Sequence, residues 1–193
     1  MTPATESRKV SLLSFLRLRT RQEVTRTLLG ILLGTIAYMA LYPIDLPSYM
    51  VLGVVTVQIK LAILVIPIVA AFFGPLAGLL VGILGSIGAD ILFTQQIIAF
   101  GLINLSYGLL GFIAGMPHYG GFSSGRKLAK LVLFTLAGFL AMAALYLVAL
   151  ILVVGENFLP ALLYNFLPFF TASLITLLIV TPVAVRILEL IVS

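Results

Sequence analysis

The stretch Phe72–Leu92, FFGPLAGLLVGILGSIGADIL, decides how the rest of the chain is read. It opens on a Gly74–Pro75 turn. Gly78 and Gly82 stand four apart, Gly85 and Gly88 follow at spacings of three, and Asp90 comes near its end. In a soluble helix each interior glycine costs about 1 kcal/mol against alanine. In a bilayer, small residues at this spacing let backbones approach, and close packing is what joins membrane helices. The stretch therefore predicts the central packing helix of a membrane bundle, with one ionisable group at its far end.

Composition points the same way. Hydrophobic residues make up 62% of the chain and charged residues 9%, against roughly 25% charged in a soluble domain. The 193 residues leave room for several spans of about 20 residues each. The absence of cysteine removes disulfides and thiolate metal sites, and the single histidine, His118, removes any metal site built from several imidazoles. Neither a metal nor a cofactor is expected. The net charge of +5 is spread over the ends of apolar spans, so no nucleic-acid partner is expected either.

Working outward, residues 1–20 form a basic amphipathic segment suited to an anionic membrane surface, and residues 21–193 form one transmembrane domain. Span 1 covers about Val24–Leu41. Span 2 lies within Met50–Phe73; its β-branched opening, VLGVVTVQIK, suits irregular or extended backbone, with a shorter helix from about Leu61. Span 3 is the Phe72–Leu92 stretch itself, hinged to span 2 by the Gly-Pro turn. Spans 4, 5 and 6 cover about Gln96–Met116, Leu128–Val154 and Pro160–Leu188, the last with Pro168 and Pro182 inside it. The expected fold class is an all-α membrane protein, a six-span helical bundle.

The positive-inside rule gives an orientation. With six spans, Arg8, Lys9, Arg17, Arg19, Arg21, Arg26, Arg126, Lys127, Lys130 and Arg186 all fall on one side, and Lys60 alone on the other. Both termini are therefore expected in the cytoplasm. Asp45, Asp90 and Glu156 accompany Lys60 on the outer side.

No catalytic constellation is present: no metalloprotease motif, no phosphate loop, no paired carboxylates at helical spacing. The chain is not expected to be an enzyme. Polar residues gather instead towards the outer ends of the spans. Gln58 and Lys60 end the first part of span 2, Asp90 and Gln96 flank the turn between spans 3 and 4, and Asn104 and Tyr107 lie inside span 4. Asn157, Tyr164 and Asn165 open span 6. Ionisable groups in membrane spans are costly and point to function, and polar groups converging among aromatics suit a small-molecule pocket. Each has a plainer alternative: wet loop residues for Asp90 and the glutamines, helix-to-helix bonding for Asn104 and Asn165, snorkelling for Lys60. The aromatics near this side are Tyr49, Phe93, Tyr107, Phe158 and Tyr164. In span 1, Gly30, Gly34 and Ala37 share one face, which either packs inside the bundle or docks a partner.

The run QIKLAILVIPIVAAFFGPLAGLLVGILGSIGADIL (58–92), together with NFLPFFTASLITLLIVTPVAVRIL (165–188), resembles the S components of energy-coupling factor transporters. Those are six-span substrate-binding membrane subunits for vitamins and related micronutrients. The matching features are Gln58-Ile59-Lys60, Gly74-Pro75, Gly78, Gly82 and the Gly88-Ala89-Asp90 ending, which departs from a direct Gly-Asp. The resemblance implies a water-soluble vitamin-like substrate, a prokaryotic cell membrane, and assembly with a transmembrane T component and a pair of cytosolic ATPases. It also assigns Gly30, Gly34 and Ala37 to the position where the family's Ala-x-x-x-Ala pattern docks on the T component, with glycine here in place of alanine. Two other classes remain open on the residues alone: a small membrane scaffold like that of the cell-shape machinery, which needs no outer pocket, and a secondary carrier, which would show inverted repeats.

Overall fold

The computed structural model describes residues 15–18, 20–51, 55–94, 101–155 and 157–192, and for 45–51, 55–60, 94, 165 and 192 the backbone alone. Most of the expected amphipathic segment, residues 1–14 and 19, lies outside the described residues, as do Gln96 and the side chains of Gln58, Lys60 and Asn165.

Helix α1 (Arg21–Leu41) starts at a capping box: the Glu23 amide donates to Thr20 Oγ1 at 3.2 Å, and the Thr20 amide to Glu23 Oε2 at 3.1 Å. This reciprocal pairing satisfies two helix-start donors and sets the start ahead of the expected Val24. An antiparallel hairpin follows, β1 (Asp45–Val51) with β2 (Val55–Lys60), its register running from Asp45 opposite Lys60 to Val51 opposite Val55. The extended backbone expected for this β-branched stretch is found, paired here into a hairpin, so among the described residues the bundle is helical except for these two strands. The helix expected from Leu61 is also found, as a 3-10 turn (Leu61–Leu64) leading into α2 (Val65–Phe73). Pro67 falls in the first turn of α2, where its missing N–H leaves no helical bond unmade.

Gly74 joins α2 to α3 (Pro75–Ala89) with φ 102°, a backbone setting that favours glycine. Pro75 then takes the first helical position, where its fixed φ suits the helix. A π-helical turn, Asp90–Thr94, continues α3. The remaining helices are α4 (Gly101–Gly115), α5 (Gly125–Leu152) and α6 (Leu167–Val192). A turn at Phe158–Pro160 and a second π-helical segment, Ala161–Phe166, lead into α6. Helix α6 continues past Pro182, which lies inside it.

Among the described residues, four helical stretches are long and apolar enough to cross a membrane: Arg21–Leu41, Pro75–Phe93, Gly125–Leu152 and Phe158–Ile191. The stretches Leu61–Phe73 and Gly101–Gly115 are apolar but shorter; at 1.5 Å per residue α4 is about 22 Å long, below the roughly 30 Å of a hydrocarbon core.

Helix α3 is the central element, packing against α1, α2 and α4. Its glycines divide between partners. Gly78 and Gly82 lie against the backbone of Gly111 and of Tyr107–Gly108 in α4; a Cβ on Gly78 would stand 2.5 Å from the Gly111 carbonyl oxygen. Gly85 and Gly88 turn instead to Tyr38 and Met39 of α1. The main core gathers Tyr38, Ile66, Val81, Leu110, Phe139 and Leu177 from all six helices.

Two ends are defined by contacts. At the basic end, Arg17 donates to the Phe72 carbonyl at 3.3 Å and the Pro117 carbonyl at 3.2 Å, which ties the α1 approach to the α2–α3 turn and the α4–α5 loop. That loop, which the sequence suggests is an ordinary turn, packs inward. Tyr119 and Phe122 are buried with Ala71, Leu131 and Val185 in a second cluster. The Tyr119 hydroxyl donates to the Ala114 carbonyl at 2.6 Å, and Glu189 near the end of α6 accepts from the Phe122 amide at 2.6 Å and from Arg186 at 2.7 Å. At the opposite end, Tyr42 stacks on Phe93 at 5.6 Å, so the end of α1 meets the end of α3.

Candidate functional site

At this opposite end the structure brings together three of the residues singled out in the sequence. Asp90 opens the π-helical turn after α3, and Asn104 lies in the first turns of α4. Asn104 Nδ2 donates to Asp90 Oδ2 at 3.2 Å. A carboxylate can only accept, so this bond turns the amide oxygen away from it. Asn104 is 6% exposed, and its Oδ1 has no hydrogen-bond partner among the described residues. A buried acceptor left in that condition costs about 1–3 kcal/mol. Tyr107 follows less than one turn later.

Aromatic rings contributed by five helical segments pack against one another towards this end. Tyr38 and Tyr42 of α1 lie 6.3 Å apart, and Tyr42 stacks on Phe93. Tyr107 meets Phe169 edge-on at 6.4 Å, and Tyr146 of α5 stacks on the same Phe169 at 5.1 Å. Phe170 stacks between Phe139 at 5.0 Å and Phe166 at 5.4 Å. Both π-helical segments lie at this end, one carrying Asp90 and one leading into α6. Such turns widen a helix locally and recur at functional sites.

Asn157 and Tyr164 are exposed on the approach to α6 rather than drawn in beside Asp90. Lys60 ends β2, its backbone opposite Asp45 where the hairpin meets the 3-10 turn. Of the expected aromatics, Phe93 and Tyr107 join the cluster, while Phe158 and Tyr164 stay more than half exposed. Tyr38, Tyr42, Tyr146 and Phe169 were not anticipated. The i, i+4 spacing of Tyr38 and Tyr42 puts them on one helix face, a signal available in the sequence. For Tyr146 and Phe169, set in uniformly apolar runs of sequence, no such signal exists.

The span 1 face has a definite placement. Gly30 lies against the Phe73 ring, and a Cβ on Gly34 would stand 2.7 Å from Val81 Cγ2 and 2.8 Å from Val69 Cγ2. Both glycines are buried within the single chain, and Ala37 is partly exposed. The outward face of α1 carries Leu28, Leu29, Leu32, Leu33 and Ile36 instead, each about half exposed or more. No metal-binding group of acidic or histidine side chains occurs among the described residues. No protein-family model, no curated protein and no solved structure matches this chain.

Proposed function

We propose that this chain is a substrate-binding membrane subunit of the S-component type. It captures a small, polar, ring-bearing molecule of vitamin-like size at its Asp90 end, and a partner T component with paired ATPases drives release to the other side. In this reading the helices make six crossings, α2 and α4 being short ones that a locally thinned bilayer accommodates. Both termini and the basic end then face the cytoplasm, and the Asp90 end faces outward.

The observation that carries the proposal is the Asn104 side chain. It is buried, held by Asp90 through one arm, and has an acceptor on the other that no described residue meets, less than one turn before Tyr107, whose ring packs on Phe169. A ligand N–H or O–H donor would satisfy that acceptor, and the rings would stack on a flat heterocycle. The resemblance of residues 58–92 to S components supplies the direction of transport and the partners.

The test is the ligand carried through purification. The full chain, extracted in mild detergent, is expected to release one small heterocyclic compound detectable by mass spectrometry, or to bind one from a vitamin panel at nanomolar to micromolar affinity. An empty extract together with no binding across the panel would sink the proposal.

A further inference from the structure

The basic end carries a second feature that substrate capture leaves unexplained. A cavity of about 300 Å³ lies between the α1 approach, the end of α2 and the α4–α5 loop; Arg17, Arg26, His118, Tyr119 and Glu189 contribute to its walls. Beside it runs an apolar groove of about 560 Å³ along α1 and α2, with Gly34, Ala37, Val69 and Leu188 among its lining. The two adjoin: Arg26 and Phe72 border both.

The charges in the cavity are unequal. Glu189 is already matched, by Arg186 at 2.7 Å and the Phe122 amide at 2.6 Å. Arg17 spends two donors on backbone carbonyls, which does not exhaust a guanidinium. It holds a left-handed backbone conformation, φ 58°, uncommon for a residue with a side chain. Arg26 stands over the Phe73 ring at 5.9 Å, which leaves its N–H edge available. Burial, and then the like charge of Arg26, lower the Arg17 guanidinium from its ordinary value. Two cations lining one recess, Arg17 partly buried and Arg26 exposed, favour an anion between them, and the apolar groove beside that recess favours a hydrocarbon chain.

We propose that this end binds one anionic phospholipid, its phosphate against Arg17 and Arg26 and one acyl chain in the groove between α1 and α2. The juxtaposition of headgroup-sized basic recess and apolar channel at one end of the bundle is what such a lipid matches, and a zwitterionic lipid matches only the channel. The lipid would also bridge the α1 approach to the α2–α3 turn, where Arg17 already does so.

The experiment is native mass spectrometry of the full chain in detergent, titrated with phosphatidylglycerol or phosphatidylcholine of equal acyl length. Each basic side chain near a membrane surface contributes about a fivefold preference for anionic lipid, so two arginines predict roughly twenty-five-fold. Arg26→Gln is expected to lower the preference about fivefold with the fold intact, and Arg21→Gln, outside both cavities, to leave it unchanged. Ala37→Phe, which fills the groove, is expected to abolish saturable binding of both lipids. Glycerol phosphate, the headgroup without its chains, is expected to compete poorly. Equal binding of the two lipids by the unaltered chain would overturn the proposal, as would an Arg26→Gln variant with undiminished preference. Glycerol phosphate competing as well as whole lipid would do the same by removing the groove from the site. A protein that co-purifies in stoichiometric amount, is lost in Ala37→Phe, and comes with no lipid preference would make this a protein-docking face and overturn the lipid assignment.

Discussion

Asn104 Nδ2 donates to Asp90 Oδ2 at 3.2 Å, joining the end of α3 to the first turns of α4 across 14 residues of sequence. The bond fixes which way the amide faces, and so leaves Oδ1 as the acceptor that points elsewhere. Interhelical hydrogen bonds in membrane proteins average about 0.6 kcal/mol and seldom exceed about 1.7. The pair is therefore too weak to be needed for folding alone, while its geometry is specific enough to orient a ligand.

Asn104→Leu separates these roles. It is expected to shift thermal unfolding in detergent by only a few degrees, consistent with the loss of about 1 kcal/mol, and to reduce ligand retention at least tenfold. Ser106→Ala is the control: Ser106 is fully buried, but its hydroxyl donates to the Ile103 carbonyl of its own helix at 2.6 Å, so ligand retention should be unchanged. A collapse of the Asn104→Leu fold comparable to a core truncation would make the pair structural, and full retention of ligand would remove Asn104 from the site.

The glycine contact between α3 and α4 predicts a sharp contrast between two alanine substitutions. A Cβ on Gly78 meets the Gly111 carbonyl oxygen at 2.5 Å and its carbonyl carbon at 2.8 Å, and backbone cannot swing aside as a side chain can. Gly78→Ala is expected to destabilise by about 1–3 kcal/mol, the range for overpacking a tight interior. A Cβ on Gly101 meets nothing within 4 Å among the described residues, so Gly101→Ala should be neutral or stabilise by about 0.4–1 kcal/mol through the unfolded chain. Chemical unfolding of the two variants side by side checks this. Equal stabilities would mean that α3 and α4 do not pack backbone to backbone.

How much of this was legible in the sequence differs by region for physical reasons. The Gly-Pro hinge, the packing role of Phe72–Leu92 and the extended backbone before Leu61 follow from local rules, because glycine, proline and β-branched residues act mainly on their own backbone; the partner strand Asp45–Val51, in a stretch whose two prolines read as a loop, does not. The capping box that starts α1 was also legible, as Thr20 three residues before Glu23, and it moves the helix start outward by a turn. The Asp90–Asn104 partnership could be narrowed only to two polar residues near the same turn; which atoms meet depends on the π-helical turn that begins at Asp90, and no periodicity announces it. The inward packing of Tyr119 and Phe122 was not legible, because PHYGGFSSG has the composition of an exposed turn and only tertiary contact with Leu131 and Val185 draws its rings in.

The span 1 glycines carry the last prediction, because sequence alone admitted both packing and docking for them. Val69 and Val81 close on Gly34 from α2 and α3, and a Cβ there would stand 2.7 Å from one and 2.8 Å from the other. β-Branched side chains are stiff at χ1, so neither can yield easily to a larger residue. Gly34→Leu is expected to lower the stability of the isolated chain by about 1–3 kcal/mol or more, seen as a lower unfolding midpoint in detergent with no partner present. Leu33→Ala, one position along on the exposed side of the helix, should leave the midpoint unchanged. A docking role alone predicts a different outcome, in which Gly34→Leu leaves the isolated chain as stable as the parent and is lost only from assemblies. That result would require α1 to stand away from α2 and α3, and would return Gly34 to the surface.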